Sequence, residues 1–148
     1  NILNASKSPK EIRLASQKLG SRFIKTLMSS EIAYKNNNFI DYVNQSKDNL
    51  PTHTVAYGVF CQSVGIEKER AIDGFLYSYT SSTITNCVKS IPLSQTQGQQ
   101  LLYKSYDIFE EVIEKLDKLT IDDLCISTPG FDIRCMQHET LYSRLYMS

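Results

Sequence analysis

The sequence has little of several residue types on which enzyme chemistry often depends. It contains only two histidines, His53 and His138, which leaves few residues for a metal site or an acid–base pair. Acidic and basic side chains balance at 16 each, and this argues against nucleic-acid binding, which needs a basic face. No apolar run approaches the ~18 residues of a membrane-spanning helix. The sequence therefore predicts neither a nucleic-acid partner nor a membrane partner.

Cysteine is also sparse, and its spacing points to no particular chemistry. Cys61, Cys87, Cys125 and Cys135 form no C-x-x-C pair, and their spacing matches neither a zinc module nor a compact disulfide framework. We therefore expect reduced thiols in a cytoplasmic protein. Tryptophan is absent, but there are nine tyrosines. Tyrosine combines apolar area with a polar tip, so it suits interfaces as well as a half-buried core.

Helical spacing of apolar residues runs through most of the chain. It predicts an all-α protein, a single compact helical domain of five to seven helices that spans residues 1–148. The segments 52–64 and 67–92 are predicted as helices, the second of them central. A strand remains possible for each, because short apolar runs and stretches rich in Ser and Thr are ambiguous.

The helix predicted after residue 8 has a start signal and an apolar stripe. Ser8 and Glu11 have the spacing of a capping box around Pro9. Gly20 is unfavourable in a helix, so we expect another helix to approach closely there. The stripe predicted to face the core consists of Ile12, Ala15, Leu19, Phe23 and Leu27.

A second capping-box pattern, Ser94 with Gln97, opens the clearest helical segment. We predict one long helix, with a further helix from about Ile133 to Leu145 near the end of the chain. Four polar residues crowd the start of the long helix: Gln95, Thr96, Gln97 and Gln99. They are either a solvated helix end or a recognition surface. The stripe predicted to be buried consists of Leu102, Tyr106, Phe109, Ile113 and Leu116.

No set of residues in the sequence makes a convincing active site. His138-Glu139 resembles the start of a zinc-protease motif, but Tyr142 stands where the second histidine ligand would be. His53 and Cys61 could share a helix face as a base and a thiol nucleophile, yet no third group is evident to orient them. The glycine-rich signature of a phosphate-binding loop is also missing. We therefore predict no catalytic residues, no metal ligands, no cofactor and no enzymatic activity.

Four stretches of the sequence resemble the urease accessory protein F (UreF) family. They are "LASQKLGSRF", "HTVAYGVF", "NCVKSIPLSQTQGQQLL" and the terminal "MQHETLYSRLYMS". The last is the most specific, because it matches the family's final His-Glu-x-Leu-Tyr-Ser-Arg-Leu segment. The family's N-terminal part has no match here, so we expect the chain to be the C-terminal two-thirds of a longer, UreF-like helical protein.

The resemblance implies a cytoplasmic scaffold rather than an enzyme. Members of the family dimerise and bind a second accessory protein, called D or H, and then the accessory GTPase G. The assembly delivers nickel to the urease apoenzyme. Tyr77 and Tyr79 are candidates for a dimer face, partly through this resemblance. The terminal segment is implied to bind the D/H partner through His138, Glu139, Leu141, Tyr142, Arg144, Leu145 and Tyr146.

Two other functions remain open from the sequence. Arg144 could act as an arginine finger, which would make the protein an activator of GTP hydrolysis by the accessory GTPase. A plain metal carrier is the other alternative. With two histidines and scattered cysteines, such a carrier would bind nickel weakly and without fixed stoichiometry.

Overall fold

The structure, a computed structural model, describes residues 2–46, 50–124, 126 and 128–143. Within these residues the regular structure is helical and contains no strand. It consists of seven α-helices of eight or more residues, one of five residues and a short 3-10 turn. The predicted all-α fold of five to seven helices is therefore confirmed for helices of two turns or more.

The helices fall into two compact units. Unit 1 comprises Asn1–Gly65 with Asp123–Ser148, and unit 2 comprises Ile66–Asp122. Each unit has its own internal contacts. The expectation that residues 1–148 form one domain stays a prediction.

Unit 1 is built around one apolar helix. In this unit, α2 and α3 pack against α4, and α8 packs against α2. Rings from three elements meet at 5.6–5.7 Å between centroids, where Phe60 contacts Phe23 and Phe39. Phe39 is fully enclosed, so burial of its ring is a main contribution to the stability of unit 1. The bounds of the helices are α1 (Ile2–Ser6), α2 (Lys10–Met28), α3 (Asn38–Gln45), α4 (His53–Val64) and α8 (Pro129–His138).

The segment for which a strand was possible, residues 52–64, is the helix α4. Its N-cap residue Thr52 has an extended backbone, and its C-cap residue Gly65 has φ +77°. Glycine reaches this left-handed conformation without a steric penalty, so it ends the helix at the predicted place. The strand alternative for this segment is wrong.

Close approach at Gly20 is confirmed, but the predicted stripe of α2 is partly wrong. A Cβ atom at Gly20 would lie 2.9 Å from the backbone nitrogen of His53 and from the carbonyl carbon of Thr52. The start of α4 therefore packs directly on the α2 backbone. Ala15 and Leu19 are exposed, because the face of α2 that meets α4 is centred on Gly20 rather than on the larger side chains beside it.

The predicted capping box at the start of α2 is also wrong. Pro9 is the N-cap residue, and its ring has no atom that could accept a hydrogen bond from the first turn. The acceptor comes from the far end of the sequence. The backbone nitrogen of Lys10 donates to Oε1 of Glu139 at 2.7 Å, which satisfies one of the unpaired N–H groups at this helix start.

Unit 2 contains three helices that pack on one another. Their bounds are α5 (Lys68–Ser90), α6 (Gln95–Lys104) and α7 (Tyr106–Leu116). The segment 67–92 is thus helical, and its strand alternative is wrong. The capping box of Ser94 and Gln97 is confirmed, with both reciprocal hydrogen bonds present. Gly98 allows α6 to approach α5, since a Cβ atom there would lie 2.8 Å from Cγ2 of Val88.

The predicted long helix is divided at Ser105 into α6 and α7. Oγ of Ser105 donates to the carbonyl oxygen of Leu101 at 2.9 Å, one turn earlier. A serine hydroxyl bound in this way competes with the backbone ladder and often bends a helix. Two of the five predicted stripe residues, Leu102 and Phe109, are buried. Tyr106 is exposed, so its predicted place in the buried stripe is wrong.

The last helix differs from its prediction at both ends. It begins at Pro129 rather than near Ile133, and it ends at His138 rather than near Leu145. Proline is favourable in a first helical turn because its missing N–H group would be unpaired there in any case. The residues from Glu139 to Ser143 are not helical.

Candidate partner-binding surfaces

The end of α8 is held against the start of α2. Nδ1 of His138 lies 2.7 Å from Oε2 of Glu11. Oε1 of Glu139 accepts from the backbone nitrogens of Lys10 at 2.7 Å and Glu11 at 3.4 Å. Two of the predicted partner-binding residues, His138 and Glu139, therefore make contacts within their own chain, and each is half-buried.

The residues that follow this contact are exposed. About half of the Leu141 side chain is accessible, and Tyr142 is fully accessible. Exposed large apolar residues next to each other indicate a surface that a partner can cover. The other predicted binding residues, Arg144, Leu145 and Tyr146, lie outside the described residues.

A groove lies between α2 and α8 beside this contact. Its volume is about 350 Å³, and its lining includes Ile12, Arg134 and Cys135. Burial, followed by the carboxylates of Asp132, Glu11 and Glu139, raises the pKa of the Cys135 thiol. A raised pKa keeps a thiol protonated and weakly nucleophilic. The Cys135 thiol in this groove is therefore poorly suited to nucleophilic chemistry.

Unit 2 presents tyrosine rings on its surface. The rings of Tyr77 and Tyr106 stack with centroids 6.4 Å apart, and Tyr103 meets Tyr106 edge-on at 6.5 Å. Tyr103 remains 77% exposed. We call these three residues the tyrosine patch. Tyr79 is exposed as well, but residues two positions apart lie on different sides of a helix, so the two predicted dimer-face tyrosines do not form one surface on α5.

The polar residues at the start of α6 have two different roles, in the capping box and in the lining of a groove. Oε1 of Gln97 accepts from the backbone nitrogen of Ser94 at 2.8 Å, so this side chain serves the capping box. Gln95 is exposed. Thr96 and Gln99 line an open groove of about 510 Å³, whose other lining residues are Gln100, Tyr103 and Lys104. Because Tyr103 belongs to both, the groove and the tyrosine patch are continuous.

The histidine and cysteine of α4 do not form a nucleophile–base pair. His53 packs edge-on against Phe23 at 5.3 Å, and burial together with the charge of Lys7 lowers its pKa. Cys61 is 2% exposed, and burial raises the pKa of its thiol. A buried thiol with a raised pKa is poorly suited to attack a substrate. Both residues belong to the core of unit 1.

The residues that the structure describes contain neither a cluster of metal-ligand side chains nor a helix suited to span a membrane. Among them, no three His, Cys, Asp or Glu side chains are placed together as metal ligands would be. None of their helices is both long enough and apolar enough to cross a membrane. The cysteines within these residues, Cys61, Cys87 and Cys135, are free.

Comparison with known proteins decides the family. A family model described as UreF matches residues 1–106, which is more than two thirds of the chain. The chain belongs to the UreF family. The resemblance to this family is thereby confirmed, and the protein is a member of a family of urease accessory proteins.

Curated UreF relatives extend the match into the terminal segment. The protein named urease accessory protein UreF from Bacillus sp. (strain TB-90) is 30% identical over 150 residues, covering 100% of this chain and 65% of the relative. The Actinobacillus pleuropneumoniae serotype 5b protein is 34% identical, with 99% and 64% covered. The Sporosarcina pasteurii protein is 30% identical, with 100% and 73% covered. The chain thus spans about two thirds of the length of these relatives.

Sequence reasoning missed some residues of these UreF surfaces. Tyr103 and Lys104 were not singled out, and Tyr106 was assigned to the core. The spacing of Tyr103 and Tyr106 places them on one side of a helix, which is a signal for a shared surface. Their contact with Tyr77 had no such signal, because it depends on how α5 packs on α6 and α7.

Proposed function

We propose that this UreF chain is a non-enzymatic scaffold in the cytoplasm. It binds the D/H urease accessory protein through its terminal segment and then the accessory GTPase G. The resulting assembly delivers nickel to the urease apoenzyme. The observation that carries the proposal is the exposure of Leu141 and Tyr142, in the segment whose sequence resembles the family's most specific motif.

Leu141 and Tyr142 leave apolar area exposed in the chain alone. A tyrosine buries roughly 150–250 Å² when it is covered, and Tyr142 covers none of that area against its own unit. Interface tyrosines and arginines are often worth about 2 kcal/mol or more each, which corresponds to roughly thirtyfold in affinity. Arg144 would add charged hydrogen bonds to an acceptor on the partner. A short terminal segment can thus supply most of an affinity.

We also propose that the protein forms a homodimer and that the tyrosine patch of unit 2 contributes to it. Tyr77 is the predicted dimer residue that belongs to this patch, and Tyr79 would contribute from another side of α5. Exposed tyrosines are enriched at protein interfaces because they combine large area with little loss of conformational entropy. The adjoining groove, lined by Thr96 and Gln99, is a second candidate for contact with a partner protein.

The test is a pull-down with the purified D/H protein and the GTPase. Three chains are compared: the full sequence, a chain that ends at Leu141, and a Lys118→Ala control, whose side chain is exposed. We expect the full chain and the control to retain both partners and the shortened chain to retain neither. Capture of the D/H protein by the shortened chain would contradict the proposal.

The role of Arg144 separates scaffold from GTPase activator. If the protein is a scaffold, Arg144→Ala weakens the assembly, and the GTPase hydrolyses GTP at the same rate with and without the chain. Loss of GTP hydrolysis in an assembly that remains intact after Arg144→Ala would favour the activator instead.

A further inference from the structure

We infer that His138 and Glu139 are positioning residues rather than direct contacts to the partner. They form a latch, defined here as these two residues with Glu11 and the backbone N–H groups of Lys10 and Glu11. The latch fixes the end of α8 on the start of α2. The terminal segment then leaves the protein from a fixed point. This inference rests on the proposed binding of the D/H protein by that segment.

The latch is assembled from two ends of the sequence. Glu139 follows α8 directly, while Lys10 opens α2, and the two lie 129 positions apart. Pro9 at the N-cap cannot supply a side-chain acceptor for the first turn of α2. A carboxylate at this place accepts hydrogen bonds from the first N–H groups of the helix and also interacts favourably with the positive end of the helix dipole.

The histidine adds a second contact beside the first. A carboxylate oxygen can only accept a hydrogen bond, so Nδ1 of His138 donates to Oε2 of Glu11 across 2.7 Å. Adjacent residues of one segment therefore bind neighbouring groups at the α2 start. Two such contacts restrain both the position and the direction of the chain that follows.

The restraint matters because of what comes next in the sequence. Leu141 is two residues beyond Glu139, and Tyr142 follows it. If the start of the terminal segment is already fixed, less conformational entropy is lost when a partner binds it. The side chains of His138 and Glu139 are half-buried and engaged within the chain, which leaves the exposed side chains after them to meet the partner.

The first measurement concerns the latch alone and needs no partner. Amide hydrogen exchange of Lys10 and Glu11 is followed by NMR in the full chain and in three variants. With Glu139→Ala, we expect these two amides to exchange roughly tenfold faster, because their acceptor is gone. Glu139→Gln keeps a carbonyl acceptor and should retain most of the protection. Glu114→Ala, an exposed acid in unit 2, should change neither amide.

The second measurement is the affinity for the D/H protein in the same variants. A positioning role predicts about a tenfold loss with Glu139→Ala and near-normal affinity with Glu139→Gln. A direct contact of the carboxylate with the partner predicts equal losses with both variants, and that result would overturn the inference. Unchanged or tighter binding with Glu139→Ala, while the amides exchange faster, would also overturn it.

The two proposals fail in different ways. If the chain that ends at Leu141 still binds the D/H protein, the proposed function fails, whatever the latch variants do. If that chain loses binding, but a latch variant with faster exchange at Lys10 and Glu11 keeps its affinity, only the latch inference fails.

A double-mutant cycle of Glu11→Gln with His138→Gln completes the test. We expect the two substitutions together to cost no more affinity than either alone, and full additivity would contradict a shared contact.

Discussion

The two compact units place their aromatic side chains differently. In unit 1, Phe39 is fully enclosed and stacks on Tyr34 at 5.7 Å while Phe60 meets it edge-on. In unit 2, Tyr77 and Tyr103 are exposed, and they contact Tyr106 on the surface. Enclosed rings stabilise a fold, whereas exposed rings leave apolar area to be covered by something else. The rings around Phe39 therefore belong to the core of unit 1, whereas the three tyrosine rings of unit 2 lie on its surface.

The central helices of the two units show the same contrast. In unit 1, α4 buries Ala56, Cys61 and Ser63. In unit 2, α5 is 23 residues long and buries none of its residues. A long helix whose residues are at most half-buried gains less from packing within its own unit than a helix with enclosed residues, because burial on a packed face is the main source of helix stability in proteins. We expect α5 to gain stability on assembly.

The largest effect is expected where an enclosed ring is removed. Phe39→Ala in unit 1 and Phe109→Ala in unit 2 should each cost roughly 3–5 kcal/mol of unfolding free energy. Phe131→Ala, a matched control at an exposed position of α8, should cost less than about 1 kcal/mol. Urea unfolding followed by circular dichroism measures all three. A cost below about 1 kcal/mol for Phe109→Ala would show that the α7 stripe is not the core of unit 2.

A methyl group at Gly20 tests the close packing in unit 1. Gly20→Ala should destabilise the protein by about 1–3 kcal/mol, since its neighbours at 2.9 Å are backbone atoms that cannot rotate away. Gly58→Ala is the matched control on α4, because nothing lies within 4 Å of a Cβ atom there. The control should stabilise the protein by up to about 1 kcal/mol through helix propensity. Equal effects of the two substitutions would contradict the packing.

These positions also show how far sequence alone can lead. The capping box of Ser94 and Gln97 was predictable, because both partners lie within one turn. The acceptor at the start of α2 was not, since Glu139 is 129 positions from Lys10 and only the tertiary fold brings them together. Gly20 was expected to allow close approach. The exposure of the side chains beside it could not be predicted, because it depends on the direction from which α4 packs on α2.

The tyrosine patch should respond in association rather than in stability. Tyr77→Ala and Tyr103→Ala should each change the unfolding free energy by less than about 1 kcal/mol, because both rings are exposed. Each should shift the monomer–dimer equilibrium toward monomer by roughly tenfold. Light scattering at several concentrations gives the equilibrium, and Lys118→Ala, at an exposed position, is the control. If the full chain is monomeric at high micromolar concentration, the proposed dimer through this patch is contradicted.

The smallest effect concerns pH and the core histidine of unit 1. In the folded protein the pKa of His53 is lowered from 6.5, while the unfolded chain keeps the ordinary value. Between the lowered pKa and the ordinary value, His53 therefore binds a proton in the unfolded state but not in the folded state. Stability should fall as pH decreases from about 6.5 toward the lowered pKa. His53→Gln should flatten this part of the curve in urea unfolding at about pH 7.5 and about pH 5.5, and an unchanged slope would contradict the assignment.

The terminal segment provides the most direct test of the scaffold. The chain that ends at Leu141 and the full chain are compared in two assays, calorimetric titration with the D/H protein and thermal unfolding. Because Tyr142 covers no surface of its own unit, we predict at least a roughly thirtyfold loss of affinity with an almost unchanged Tm. A Tm several degrees lower together with retained binding would show that the segment belongs to the core and that the docking proposal is wrong.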